Sequence, residues 1–127
     1  PRRRANKGKM NREIKFRAFE PQYKMMSPVT MLLFPENELD CEHNNGEPKN
    51  IDHFVLMQFT GKSDDNGKEI YEGDIVSDIN NNIFEVQWND DTHKWQLSNG
   101  EDLHDGERYG STYFVIGNIH ENPEVSS

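Results

Sequence analysis

The sequence has little of what a large hydrophobic core or a disulfide-linked scaffold requires. Only 32% of its 127 residues are hydrophobic, the mean hydropathy is -1.00, and Cys41 is the single cysteine. A lone cysteine excludes an intrachain disulfide and favours a reducing compartment. No apolar run approaches the length of a membrane span, and no signal-type apolar segment lies near residue 1. These absences predict one small domain without a membrane contact, located in the cytoplasm.

Charge is distributed unevenly along the chain. Residues 1–17 contain eight Lys or Arg and one Glu, a net charge of +7, whereas the whole chain carries -9, which leaves -16 on residues 18–127. A body this acidic repels nucleic-acid phosphates, so a nucleic-acid contact is expected only through the basic arm at residues 1–17. Residues 1–9 are interpreted as a disordered basic extension, residues 10–124 as a single domain and residues 125–127 as a tail.

The first half of the domain reads as short strands and a long loop. Ile14, Phe16 and Ala18 alternate with charged residues, which predicts a half-buried strand with these three side chains inward. We expect Ser27-Pro28 to break the following segment and residues 31–34 to form a brief buried strand that stops at a proline. Residues 35–50 have no periodicity and are predicted to form a loop.

The segment from residue 55 to residue 76 predicts a hairpin. An apolar strand at 55–59 leads through Asn66-Gly67 to a returning strand at 70–76. Asn-Gly is typical of a type I' turn, in which both central residues have positive φ.

Hairpin patterning continues towards the C-terminus. Phe84, Val86 and Trp88 alternate with polar residues, and Trp95 and Leu97 are expected to face inward from the next strand. Residues 98–111 are predicted to form a loop and residues 113–119 the last strand. The expected fold is mainly β: seven to nine short antiparallel strands in a small barrel or sandwich. Because residues 71–76 are similar to the Gly-Asp strand entry of SH3-like barrels, such a barrel is expected in the C-terminal half.

Three stretches resemble the YopX family of phage and prophage proteins in the expected order. They are residues 10–19 (MNREIKFRAF), residues 57–76 (MQFTG, then DNGKEIYEGDIV) and residues 114–124 (FVIGNIHENPE). The resemblance implies a small, mainly β protein encoded by a phage or prophage and made in the bacterial host cytoplasm, and it implies no reaction. The signature positions, which are also the positions expected to make contacts, are Thr60, Gly61, Asp64, Asn66, Gly67, Ile70, Tyr71, Glu72, Gly73 and Asp74.

No motif in the sequence specifies a reaction. Asp64, Asn66 and Gly67 are similar to part of a calcium-binding loop, but Lys62 and Gly73 occupy positions that require acids, so a hairpin turn is favoured. The histidines, which are His43, His53, His93, His104 and His120, have no metal-ligand spacing. No catalytic, metal-binding or cofactor-binding residues are therefore expected.

Two weaker patterns also favour structural roles. Glu72 and Asp74 would share one strand face, as in a metal or acid/base pair, but solvated carboxylates are the preferred interpretation. Trp88, Trp95, Phe84 and Tyr113 could form a base-stacking platform, but their neighbours in sequence are acidic, so core packing is preferred.

These patterns favour a non-enzymatic accessory protein that acts by protein contact or self-assembly. The partner would be a host or phage protein, or a second copy in a homo-oligomer. One alternative is an acidic mimic of nucleic acid that inhibits a host protein. Two others are a nucleic-acid-binding barrel that uses the basic arm, and a metal-dependent hydrolase centred on Glu72, Asp74 and a histidine.

Overall fold

The structure is a computed structural model that describes residues 14–44, 46–104 and 113–123. Within them it contains ten strands and two short 3-10 helices, so the prediction of a mainly β protein is confirmed. The first five strands are β1 (Phe16–Glu20), β2 (Met25–Leu33), β3 (Glu38–Cys41), β4 (Lys49–Asn50) and β5 (Val55–Ser63). The others are β6 (Glu69–Tyr71), β7 (Asp74–Ser77), β8 (Ile83–Asn89), β9 (Lys94–Leu97) and β10 (Phe114–Asn118). The 3-10 helices are Glu42–Asn44 and Ile51–His53.

The strands form two antiparallel sheets in a sandwich-like arrangement. The six-stranded sheet has the order β4-β3-β2-β1-β5-β6, and the four-stranded sheet has the order β9-β8-β7-β10. Among the described residues the sheets do not close into a barrel, so the predicted SH3-like barrel of the C-terminal half is wrong. The short turn between β6 and β7 carries the chain from one sheet to the other.

Each sheet has its own cluster of buried side chains. The cluster of the six-stranded sheet contains Ala18, Leu39, Cys41 and Phe54. The cluster of the four-stranded sheet contains Ile70, Val76, Val86, Leu97 and Leu103, with Phe84, Trp95, Tyr113 and Val115 packed against it. Ile70 belongs to this second cluster although its strand pairs in the six-stranded sheet, so it connects the two layers.

The first strands differ from the prediction in three respects. The brief buried strand predicted at residues 31–34 is wrong, because residues 31–33 are the end of β2, Met31 is 49% exposed, and Phe34 lies beyond the strand and is 71% exposed. Ile14, expected to face inward, is 73% exposed, and it precedes β1 rather than lying within it. Pro28 does not break the chain, because β2 runs through it from Met25 to Leu33. Up to Pro28, β2 pairs with β1, and from Val29 onward it pairs with β3. Proline is tolerated in this strand because it lies where β2 changes its pairing partner.

The loop predicted at residues 35–50 is wrong over much of its length. Two strands, β3 and β4, and a 3-10 helix lie within it. Leu39 and Cys41 on β3 are 0% and 1% exposed and belong to the core of the first sheet. A four-residue strand between acidic and polar residues is too short to show a period, which is why the sequence did not reveal it.

The C-terminal hairpins are confirmed. Trp88 lies opposite Trp95, and Val86 lies opposite Leu97, in the β8-β9 pair. The last strand, β10, pairs with β7. Residues 105–112 of the predicted loop, the predicted extension at residues 1–9 and the tail at 125–127 lie outside the described residues. In the described ranges, no helix has both the length and the apolar character needed to cross a membrane.

Candidate functional site

The signature segment forms the predicted hairpin, and Asp64 organises its loop. β5 pairs with β6, and the carboxylate of Asp64 is 2% exposed. Its Oδ1 accepts hydrogen bonds from the N–H groups of Asn66 and Lys68, each at 2.9 Å. Its Oδ2 accepts one from the N–H of Val115 at 2.9 Å, on the edge strand β10 of the other sheet. Asp64 therefore closes the loop and connects the two sheets.

The turn itself is not the predicted type I'. Gly67 has a φ of +82°, but Asn66 is not among the residues with positive φ. The N–H of Gly67 donates to the carbonyl of Asp64 at 3.0 Å, so the turn begins at Asp64. The hydrogen bonds accepted by the Asp64 side chain stabilise this turn over the two-residue alternative.

A second buried carboxylate, Asp74, lies where β7 begins. It is 1% exposed, and its Oδ1 accepts a hydrogen bond from Nη2 of Arg17 on β1, with which it forms an ion pair. Its Oδ2 accepts from the N–H of Tyr71 at 2.8 Å. The Arg17 guanidinium lies over the Tyr71 ring, 4.5 Å from its centroid. We call Arg17, Tyr71 and Asp74 the sheet junction, because they join strands of both sheets.

Burial acts against the charge of Asp74. Loss of water raises the pKa of its carboxyl above the ordinary value, and the Arg17 guanidinium and the Tyr71 N–H oppose that rise. Nε of Arg17 is also buried and has no hydrogen-bond partner among the described residues. An ion pair in this setting depends on both members, since either charge alone would be buried without compensation.

Gly73 explains how the chain turns at the sheet junction. Its φ is +84°, a conformation that side chains disfavour. Its N–H donates to the Val86 carbonyl at 3.0 Å, and its carbonyl accepts from the N–H of Ile119 at 2.9 Å. The turn thereby binds β8 on one side and the segment after β10 on the other.

Three further signature positions have structural contacts or conformations. Thr60 is buried and donates from Oγ1 to the Ile70 carbonyl at 2.7 Å, and Ile70 is 1% exposed. Gly61 has a φ of +84° within the irregular pairing of β5 and β6.

Comparison with known proteins identifies the family. The model of the family described as YopX protein matches residues 15–125. The chain belongs to the YopX family. A solved structure of protein EF1440 from Enterococcus faecalis is similar, with 29% identity and a TM-score of 0.70, and the match covers 92% of this chain and 100% of that one. No curated protein matches.

The YopX signature does not bring Glu72 and Asp74 onto one strand face, so that prediction is wrong. Glu72 lies in the turn that precedes β7, whereas Asp74 is the first residue of β7 and points at Arg17. In the ranges that the structure covers, no three His, Cys, Asp or Glu side chains are close enough to hold a metal ion.

Glu72 instead lines a cleft between the sheets. The cleft has a volume of about 340 Å³, and Met57, Glu85 and His120 also line it. The His120 ring stacks on Phe19 at 5.5 Å between centroids. Burial and the nearby Arg17 charge lower the pKa of His120, while Glu85 and Glu72 oppose this effect.

A second open cavity contains both tryptophans. It has a volume of about 380 Å³, and we call it the tryptophan groove. Its lining includes Lys62, Trp88, Lys94, Trp95 and Asp102. The core-packing interpretation is confirmed for Phe84, Trp95 and Tyr113, but Trp88 is 40% exposed. Sequence reasoning missed Lys62, because β5 is distant in the chain from β8 and β9.

Proposed function

We propose that this chain is a non-enzymatic phage or prophage accessory protein that acts in the host cytoplasm by contacting another protein or a second copy of itself. One observation carries the proposal: the signature carboxylates Asp64 and Asp74 are 2% and 1% exposed and bind the protein's own groups. The signature segment thus stabilises the sandwich, and we expect contact with other molecules at other residues, on the surface.

The surface has exposed apolar side chains suited to such a contact. Tyr23, Met25, Met31 and Phe34 lie on β2 or in the turns that flank it, with exposures of 55%, 43%, 49% and 71%. Exposed apolar area of this kind is typical of interaction sites. The net charge of -16 on residues 18–127 favours a basic partner.

Contact through side chains is better supported than pairing of sheet edges. The outer edge of β9 is covered, because Leu97 donates to the Glu101 carbonyl at 2.8 Å and the N–H of Leu103 donates to the Trp95 carbonyl at 3.1 Å. Asp64 and Asp65 cover part of the outer edge of β10. The other two terminal strands have only two and three residues. Short or covered edges disfavour strand addition.

The test is site-specific photo-crosslinking at Phe34, with Ile79 as the matched control. The two side chains are 71% and 70% exposed, but Ile79 lies between β7 and β8 in the other sheet. We expect a discrete adduct from position 34 and none from position 79. In the purified chain a product of twice the monomer mass would identify self-contact, and in host lysate a product of another mass would identify a partner. Equal, diffuse labelling at both positions in both preparations would contradict the proposal.

The acidic body favours one second candidate, a nucleic-acid mimic that occupies a host DNA-binding protein. In that case the position 34 adduct should contain a basic protein, its yield should fall as salt rises, and added duplex DNA should compete with it. Insensitivity to both salt and DNA would leave the apolar contact as the explanation.

A further inference from the structure

Two tryptophans lie side by side in the tryptophan groove and differ in how far they are buried. Trp88 and Trp95 are directly opposite in the β8-β9 pair, with ring centroids 5.0 Å apart and planes at 66°. Trp95 is half-buried against the core of the four-stranded sheet, whereas Trp88 is 40% exposed. The His93 ring lies 6.4 Å from Trp88. A ring held from behind by other rings, with much of its surface open, is suited to stacking with a planar ligand.

Among the described residues, two ammonium groups of the groove have no strong partner. Lys62 makes no side-chain hydrogen bond or ion pair with the described residues. Lys94 lies 3.8 Å from Asp102, and the two side chains are 62% and 57% exposed. An exposed ion pair at that distance contributes little to stability, so Lys94 can exchange its partner for another anion at little loss. Two lysines thus line the groove beside the tryptophans, together with Asp102.

We propose that the tryptophan groove binds a free nucleotide, whose base stacks on Trp88 and whose phosphate binds Lys62 and Lys94. Stacking is tolerant of the base, because every base has a π face. The volume of about 380 Å³ lies at the small end of ligand pockets, as a single nucleotide requires. The charge of -16 on residues 18–127 disfavours a long phosphate backbone more than one phosphate group, which favours a nucleotide over a strand. This proposal is independent of the protein-contact function.

The chain reports on this site directly, because it contains two tryptophans and both line the groove. The experiment follows the two indole N–H resonances of the ¹⁵N-labelled chain while AMP or UMP is added. We expect saturable shifts of the indole resonances, with a dissociation constant on the order of 10 µM to 1 mM for a ligand of this size. Adenosine alone and inorganic phosphate alone should each bind at least about tenfold more weakly than AMP, since each supplies one of the two contacts.

Two variants and one control locate the contacts. Lys62→Gln should weaken the binding of AMP without changing the binding of adenosine. Trp88→Leu should weaken the binding of both ligands by about tenfold. Lys24→Gln removes the same charge from the exposed turn between β1 and β2, which does not line the groove, and should leave both affinities unchanged. If Trp88→Leu melts at a lower temperature, Lys62→Gln still decides the outcome. Equal AMP affinity in wild type and Lys62→Gln would overturn the phosphate site.

A base with a phosphate could come from a free nucleotide or from a single strand, and a short oligodeoxyadenylate distinguishes the two. Under the proposal it binds no more tightly per nucleotide than AMP. Tighter binding with a steep dependence on salt would assign the groove to single strands and overturn the free nucleotide. Indole resonances that stay unchanged with AMP, UMP and the oligonucleotide at millimolar concentration would overturn the site itself.

Discussion

The sheet junction and the tryptophan groove combine the same kinds of side chain, a cation and an aromatic ring, with opposite results. In the junction the Arg17 guanidinium covers Tyr71 and pairs with Asp74, which is 1% exposed. In the groove Trp88 is 40% exposed and the Lys94 side chain is 62% exposed. Where the charged groups pair with each other and are buried, the residues stabilise the fold. Where the groups remain exposed, they are available to a ligand.

The largest expected effect is the loss of the junction's cation. Arg17→Met leaves the Asp74 carboxylate buried, with the Tyr71 N–H as its one remaining hydrogen-bond donor among the described residues. We expect the free energy of unfolding at neutral pH to fall by about 3–5 kcal/mol, the range found when one member of a buried pair is removed. Urea denaturation followed by circular dichroism measures this change.

Lys15→Met is the matched control for this substitution. Lys15 lies two residues before Arg17 and pairs with Glu69 at 2.5 Å. The two side chains of this pair are 32% and 44% exposed. We expect a loss of less than about 1 kcal/mol, because water screens such a pair. Similar losses in the two variants would show that burial does not distinguish them, and the account of the junction would then be wrong.

The next effect compares two loops with the same hydrogen-bond pattern. Asp64 binds the N–H groups two and four residues later, and Asp78 does the same with Asn80 and Asn82 in the β7-β8 turn. Only Asp64 also reaches the other sheet, through the N–H of Val115. Asp64→Ala should lower the unfolding free energy by about 2–3 kcal/mol, since it leaves the part-buried N–H of Val115 without this acceptor and removes two hydrogen bonds from the loop.

Asp78→Ala should have a smaller effect, because water can replace the carboxylate at an exposed turn. The same denaturation experiment compares the two variants. If Asp78→Ala destabilises the chain as much as Asp64→Ala, the loops contribute equally and the contact with Val115 is unimportant.

The hairpins of the second half could be predicted because their signals are local. Val86 and Leu97, paired across β8 and β9, follow the period-two pattern of their own strands, and both are fully buried. The family could be recognised for a related reason: Gly73 and its neighbours form a turn that only a few residue types can adopt.

The sheet junction and the tryptophan groove could not be predicted because they depend on residues distant in sequence. Arg17 and Asp74 are separated by 57 positions, and nothing in either segment indicates its partner. Lys62 joins Trp88 and Trp95 only because β5 lies beside the four-stranded sheet. The acidic residues near the tryptophans in sequence favoured core packing, which is confirmed for Phe84, Trp95 and Tyr113, and Asp102 does line the groove. The proximity of Lys62 to Trp88 is not visible from either local segment.

The smallest expected effect concerns His120. It belongs to neither the sheet junction nor the tryptophan groove, and it lines the cleft beside the junction. Burial lowers its pKa from the ordinary 6.5, so the folded chain resists a proton that the unfolded chain accepts. Its contribution to stability is therefore complete above pH 6.5 and is lost as the pH falls through the lower, folded-state value. The charged groups around it are Arg17, Glu72, Glu85, Lys24 and Glu121.

His120→Phe isolates this contribution, because phenylalanine keeps a ring against Phe19 and removes the titrating group. The melting temperature should fall further between neutral and mildly acidic pH in the wild type than in the variant. Protonation of carboxylates lowers both, so the difference between the two proteins is the informative quantity. A wild type that loses less than the variant would mean that the pKa of His120 is raised by Glu72 and Glu85, and that the cleft favours a cationic imidazole.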